Sequence, residues 1–337
     1  MTAAAPRVAI PLQLSARALP ARARLQRLGG ETMGTSWSVT FAGTAAAAQT
    51  LSRAIGDVLD RVIAQMSPWL PDSDISRFNR CRHGEWQTLP AEFAEVMATA
   101  LRIASLTNGA CDPTMGMLVD RWGFGATPSS GSLPDAVTLS PALQSAGWQR
   151  LTFDHATRRL RRATDCRLDV NGIAKGFAVD LVMATLRRHG IHHALVEIGG
   201  ELSGAGIKPD GTPWWVTVDR PVAGRAVDAA RPLLVALHGL AIATSGCERG
   251  VTIAGQRFSH TIDPRTGMPI DNGMLTATVL HASCMDADAY ATALMVMGAD
   301  AGMAFAEQHG LAATILFKAD SGDAVERVSP ALKAMLS

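Results

Sequence analysis

Asp288 and Thr292 stand four residues apart in MDADAYATALMVMG, and on a helix that spacing stacks a carboxylate and a hydroxyl on one face. Two hard oxygens pointing the same way are the ligand type that Mg²⁺ accepts, completed by water and substrate phosphate. The competing reading of such an aspartate is a helix cap, and Asp286 is the better candidate for that task. In LDVNGIAKGFAVD, Asn171 and Gly172 join a strand end to a helix, so backbone N–H groups face the crevice as they do for a phosphate or carboxylate. Asp169 and Lys175 put an acceptor and a cation at that mouth; the alternative is an Asx turn beside a surface lysine.

SHTIDPRTGMPI sets His260 and Asp263 before a Pro-Arg-Thr-Gly turn, and ATSGCERG sets Ser245 at a strand end with Arg249 four residues on. Histidine is the side chain best suited to take a proton near neutral pH, although a lone one is usually structural. Trp69, between Pro68 and Pro71, reads as an aromatic platform or a loop anchor. Generic nucleotide signatures are absent. There is no GxxxxGK[ST], and the glycine cluster GGELSGAG leads to Lys208-Pro209 rather than a helix, which excludes a P-loop and a Rossmann site.

These residues must be held by a chain of 337 residues, 47% hydrophobic and 18% charged, long enough for one large domain or two entwined ones. The 31 Lys plus Arg against 30 Asp plus Glu leave a net charge of +1, so nothing points to nucleic acid. The five cysteines form no CxxC pair, which argues against structural zinc and a disulfide framework. No apolar run reaches the ~18 residues of a membrane span. Residues 1–30 hold five Arg and no acid and lack the ~7–15-residue apolar core of a secretory signal. They are read as a disordered arm, with a degenerate export signal as the alternative.

Order is expected from Glu31. TSWSVTF alternates as a half-buried strand and Ala45 to Met66 has helical apolar spacing. Pro90 opens a helix that runs from Ala91 to Leu106 and stops at Asn108 and Gly109. A hairpin turns at Asp154 to Thr157, RLDV continues as a short strand, and a helix closes at Gly190. Short strands follow at HALVEI, WWVTV, LLVAL, LAIAT and LTATVLHA, with a hairpin turned at Ala254 and Gly255. Helices through Ala289 to Val296 and Ala301 to His309 and a strand TILFK complete the pattern. Strands outnumber the helices between them, which excludes a doubly wound sheet.

Eight blocks, from ETMGTSWSV and MSPWLPDSDISRFN through GACDPTMGMLVDRWGFG, LDVNGIAKGFAVD, ALVEIGGEL, ATSGCERG and HTIDPRTGMP to DADAYATALMVMG, stand in the order seen in FAD:protein FMN transferases. The chain resembles that family, the ApbE family, over nearly all of residues 31–337. The resemblance implies an α+β fold with a T-fold-like core of mixed or antiparallel sheet and packed helices, in a single domain. It implies a Mg²⁺-dependent enzyme that joins FMN from FAD to a Thr or Ser of a target flavoprotein and releases AMP. Met33, Trp69, Ala110, Cys111 and Asp112 match the family's flavin and adenosine contacts, and Asp169 and Lys175 its contacts beside the helix mouth. Asp288 and Thr292 match the Mg²⁺ side chains, and Gly172 a metal ligand through its backbone carbonyl. Ser245, Arg249 and the GGE strand at Glu201 are expected to line the cleft.

His260 is the expected acceptor of the attacking hydroxyl's proton and Asp263 its orienter. Departures from the family pattern include Trp69 for a frequent Tyr, GGE for GGD and Cys247 in place of the acid of SGD; none removes a metal ligand. Because family members are often exported, the missing signal implies a cytoplasmic representative, or a periplasmic one if the arm is an export signal. Two other readings stay open: a FAD pyrophosphatase with the same metal site, and a non-catalytic FAD carrier.

Overall fold

The computed structural model describes residues 6–14, 17–127, 132–218, 232–248, 250–253 and 255–336. The chain enters through β1 (Arg7–Ala9) and β2 (Arg24–Thr32) and turns at Met33 and Gly34 into β3 (Thr35–Gly43). The long α1 (Ala45–Met66), α2 (Asp74–Arg80), β4 (Gln87–Thr88), α3 (Ala91–Leu106), α4 (Gly116–Arg121) and α5 (Ala136–Ser145) follow. The hairpin β5 (Leu151–Asp154) and β6 (Arg159–Arg162) leads to α6 (Asn171–Arg188), then β7 (Ala194–Ile198), β8 (Glu201–Ala205), β9 (Trp214–Thr217), β10 (Leu233–Leu237) and β11 (Leu240–Gly246). A second hairpin, β12 (Gly250–Ile253) and β13 (Gln256–Ser259), precedes β14 (Met274–His281) and α7 (Cys284–Met297). The chain closes with α8 (Ala299–Gln308), β15 (Ala312–Lys318), β16 (Ala324–Val328) and α9 (Pro330–Lys333).

Eight strands form the central sheet in the order β16-β15-β14-β11-β8-β7-β3-β2, and every neighbouring pair is antiparallel. Alternation along each strand sends side chains to opposite faces. Val196 and Ile198 of β7, Ala241 and Ala243 of β11, and Ala277 and Val279 of β14 face the main core with α1, α6 and α7. Leu195, Leu202, Ile242 and Leu280 face the other way, against a small sheet of order β1-β10-β9. A central strand covered on both faces is largely apolar, and β14 is buried from Met274 to Leu280, with Thr276 and Thr278 as the polar residues of that stretch. The result is an α+β fold of helices, large sheet and small sheet. No helix among the described residues is long and apolar enough to cross a membrane.

The expected disordered arm is corrected over much of its length: it contains β1 and nearly all of β2. β2 pairs with β3 at nine positions, from Arg24 opposite Gly43 to Thr32 opposite Thr35. The Arg- and Gly-rich composition is that of an exposed edge strand, where charge discourages further pairing. Gly30 lies against the Trp37 ring, which a Cβ there would meet at 2.9 Å. β1 is held by parallel pairing with β10 and by Arg7, whose guanidinium lies 2.8 Å from Glu326.

Local signals decide most boundaries. α1 is capped by the Thr44 hydroxyl, which accepts from Ala47 N at 3.3 Å, and buries Leu51, Ile55, Val58, Leu59, Val62 and Met66. RLDV is not a strand; Arg167 makes only an isolated bridge to Met115. α7 is capped by Ser283, whose hydroxyl accepts from Asp286 N at 3.2 Å, while Asp286 itself pairs with Arg102. Asp286 is therefore an ion-pair partner rather than the cap.

Candidate active site

α6 and α7 lie side by side on the helical face of the sheet, and two aspartates, one on each helix, fix them to each other. Asp180 of α6 accepts from Ser283 Oγ at 2.8 Å and from the Cys284 and Met285 N–H groups at 3.0 Å each, completing the start of α7. Asp288 of α7 returns the contact: its Oδ2 accepts from Gly176 N at 3.0 Å. Only glycine fits at 176, because a Cβ there would stand 2.3 Å from the Cys284 carbonyl oxygen.

This packing brings Thr292 to the start of α6. A Cβ built on Gly172 would stand 3.0 Å from Thr292 Oγ1, and Ser245 Oγ at the end of β11 is 3.2 Å from the same oxygen. Asp288, Thr292, Gly172 and Ser245 thus share the floor of a cavity of about 940 Å³. Ala110, Cys111, Asp112, Asp169, Lys175 and His260 also line it. Lys175 Nζ lies 2.5 Å from Glu201 Oε1 and 3.7 Å from Asp288 Oδ1, so it is a half-buried bridge between two buried carboxylates rather than a surface lysine.

The electrostatics are unusual for a cavity expected to take phosphates. Asp112, Asp169, Glu197, Glu201, Glu248 and Asp288 line it, against Lys175 as the one Lys or Arg among the described lining residues. Burial, partly offset by bonds from Asn171, pushes the Asp169 carboxyl from 3.8 up to about 6. Burial likewise raises Glu201, against the pull of Lys175. Cys111 is pushed up to about 12 by burial and by Asp288, Asp112 and Asp169, so its thiol stays protonated and is no nucleophile.

The donor set fits a divalent hard cation: an aspartate, a threonine hydroxyl beside a serine hydroxyl, and an adjacent glycine backbone, in a cavity short of positive charge. These residues fit Mg²⁺ coordination completed by water and substrate oxygens. No cluster of three or more His, Cys, Asp or Glu suited to a metal occurs among the described residues. A site for a hard cation needs no such cluster, since hydroxyl and backbone oxygens can serve beside one carboxylate.

Asp169 makes the Asx turn: Asn171 donates to it through N at 2.9 Å and through Nδ2 at 3.0 Å. Asp112 is a girder of its loop, accepting from Thr114 N at 2.8 Å, Thr114 Oγ1 at 2.6 Å and Trp148 N at 2.8 Å. His260 belongs to a separate wall, supported by a small core of Met115, Leu118, Trp122, Leu139, Ile253 and Ile262. There Phe124 meets the His260 ring edge-on at 6.5 Å, and Trp122 Nε1 donates to the Gly267 carbonyl at 2.9 Å.

The chain carries the match of the ApbE family model over residues 33–315. It belongs to the ApbE family. It is 37% identical over 314 residues to a FAD:protein FMN transferase of Vibrio cholerae, 92% of each chain. A FAD:protein FMN transferase of Escherichia coli K12 is 32% identical over 316 residues, 92% of this chain and 88% of that relative. Among solved structures, flavin transferase ApbE from Vibrio cholerae superposes with a TM-score of 0.85 at 36% identity, covering 93% of this chain and 100% of that one. An ApbE protein of Thermotoga maritima gives 0.80 at 28% identity, with coverages of 93% and 100%.

Met33 and Trp69, expected at the site from the resemblance to the ApbE family, and Asp263, expected as the orienter of His260, are not among the residues that line this cavity. Met33 occupies the β2–β3 turn with φ of 49° and packs its side chain on the main core. Trp69 is 54% exposed in the loop after α1 and does not line the cavity. Asp263 is not placed to orient His260: it accepts from Arg265 at 2.7 to 3.2 Å through both oxygens. Burial would raise that carboxyl, but the Arg265 bonds outweigh it and hold it low. Arg249 lies outside the described residues, as does Ala254 of the expected hairpin turn. Asp180 and the Lys175–Glu201 contact escaped the sequence reading. Only the acid directly after a Gly-Gly turn, at the first position of β8, hinted at Glu201.

Proposed function

We propose that this chain transfers FMN from FAD to a Thr or Ser hydroxyl of an acceptor flavoprotein and releases AMP, in a Mg²⁺-dependent reaction. The observation that carries this reading is the convergence of Asp288, Thr292, Gly172 and Ser245 on the floor of an otherwise carboxylate-rich cavity. Six carboxylates would repel a pyrophosphate unless a bound cation reverses the local field. The cavity volume of about 940 Å³ is near the top of the range for small-molecule sites, as a dinucleotide requires. That the relatives described above are named for this activity adds to the reading.

Asp288 Oδ1, Thr292 Oγ1 and the Gly172 carbonyl would hold the cation. When bound, Mg²⁺ neutralises charge on the FAD phosphates and on the leaving AMP. Lys175 presents the only other fixed positive charge among the described lining residues. His260, which lines the same cavity, takes the proton of the acceptor hydroxyl as its oxygen bonds to the FMN phosphorus. The bond from that phosphorus to the bridging oxygen breaks, and the oxygen leaves with AMP. A protonated Cys111 offers no thiolate for a covalent relay.

Incubating the purified chain with FAD and Mg²⁺, with and without an acceptor flavoprotein, tests this. AMP together with flavin bound covalently to the acceptor is expected. AMP with free FMN and an unmodified acceptor would make the chain a pyrophosphatase, and an absence of AMP would leave FAD binding alone.

A further inference from the structure

Asp288 has two carboxylate oxygens, and they are not equally engaged. Oδ2 accepts from Gly176 N at 3.0 Å, which leaves Oδ1 the less encumbered oxygen for a cation. Lys175 Nζ stands 3.7 Å from that oxygen, beyond hydrogen-bond distance yet near enough to close on it by a small torsion. What keeps it back is Glu201, whose Oε1 holds the same ammonium at 2.5 Å. At equal dielectric the attraction scales inversely with distance, so 3.7 Å against 2.5 Å favours Glu201 by about 1.5 times. The contact joins two elements: Glu201 opens β8 after the Gly199-Gly200 turn, and Lys175 lies on α6. The side chains of Glu201 and Asp288 are 5% and 4% exposed and that of Lys175 is 21% exposed, so both carboxylates are shielded from water while the ammonium is partly reached by it. Glu201 Oε2 is buried without a hydrogen-bond partner, which leaves Lys175 as the interaction that compensates the carboxylate.

We propose that Glu201 is a positioning residue: it tethers Lys175 away from Asp288 and so leaves Asp288 Oδ1 available to a divalent cation. The inference rests on the metal site proposed above. Without the Glu201 charge, the nearest anion to the Lys175 ammonium is Asp288, and the lysine becomes an internal competitor for the metal. A plain field effect of Glu201 on the metal would act whether or not Lys175 is present. The tether acts only through Lys175.

A double-mutant cycle read by Mn²⁺ binding separates the two, using electron paramagnetic resonance on the full chain without FAD. Wild type, Glu201→Gln, Lys175→Met and the double variant are compared, with Asp288→Asn as the reference for the site and circular dichroism as the check on folding. Glu201→Gln is expected to weaken Mn²⁺ binding about tenfold, the size of a typical coupling energy. In the Lys175→Met background the same substitution is expected to change binding by less than about twofold. Unaltered binding in Glu201→Gln, or an equal loss in both backgrounds, would overturn the tether. A wild type that binds no Mn²⁺, or an Asp288→Asn that binds it equally well, would instead sink the metal site itself and the tether with it. If Glu201→Gln does not fold, Lys175→Arg replaces it. The longer guanidinium reaches Asp288 while still paired to Glu201, so weakened binding supports the competition and unchanged binding overturns it.

Discussion

Asp180 and Asp288 each bind the backbone of the other's helix: Asp180 on α6 caps the start of α7, and Asp288 on α7 accepts from Gly176 within α6. The pair fixes both the rotation and the register of the two helices that carry Gly172, Lys175 and Thr292. Asp180→Ala strands three donors at the start of α7, so urea unfolding should show a loss of ~1–3 kcal/mol. Gly176→Ala should cost a similar ~1–3 kcal/mol by overpacking against the Cys284 carbonyl. Stability equal to wild type in both variants would remove the helix lock.

Asp288→Asn keeps an oxygen for Gly176 N but loses the charge. Its fold should therefore survive while Mg²⁺-dependent AMP release is abolished. A variant turning over within about threefold of wild type would have lost under ~1 kcal/mol of barrier stabilisation, too little for a metal ligand.

Thr292→Val removes one hydroxyl at nearly constant volume, beside Ser245 Oγ and the Gly172 backbone. The Mg²⁺ concentration for half-maximal AMP release should rise by roughly tenfold, as for loss of a hydrogen-bonding or ligating oxygen worth ~1.4 kcal/mol, and Thr292→Ser should restore it. Equal Mg²⁺ dependence in Val and Ser variants would place the hydroxyl outside the metal site.

The Asp169 carboxyl titrates at about 6 in the fold against an ordinary 3.8. A raised carboxyl binds its proton more tightly when folded. Its stabilising contribution is complete below the ordinary value and is lost as pH rises through about 6. Asp169→Asn lacks this titration, so its melting temperature relative to wild type should climb between about pH 4 and pH 7, in the absence of FAD. A difference independent of pH would contradict the buried, perturbed carboxyl.

His260→Asn touches neither the metal floor nor the helix mouth. FAD binding by titration should be retained while transfer to the acceptor slows by the ~10²–10⁴-fold of a lost general base. The acidic limb of the pH–rate profile should vanish with the imidazole. Weakened FAD binding with that limb intact would reduce His260 to a loop residue.

Much of this architecture is legible in the chain because it is local. The apolar spacing of Leu51, Ile55, Val58, Val62 and Met66 marks α1 at its observed bounds, and Asn108 and Gly109, both at positive φ, mark the end of α3. Asp288 and Thr292 are found by their four-residue spacing. Asp180 is not, since its partners lie 103 to 105 residues away and nothing near VDLVM distinguishes a capping acid from a solvent-facing one. β2 escapes for a different reason, since its partner is local: its pairing with β3 is written in the turn at Met33-Gly34 and in the fit of Gly30 to Trp37, not in its Arg- and Gly-rich composition. Asp263 fails in the opposite direction, because Arg265, two residues away, captures a carboxylate that proximity in sequence had assigned to His260.

The separate small core beneath His260 has a mechanical consequence. The cavity floor is anchored in the main hydrophobic core through α6 and α7, whereas the His260 wall rests on a handful of residues around Trp122 and Ile262. Local openings draw on the regions with the least buried apolar surface. Amide exchange should therefore be slow at Gly176 and Asp288 and faster at Thr261 and Ile262, which makes the His260 side of the cavity the one expected to open first.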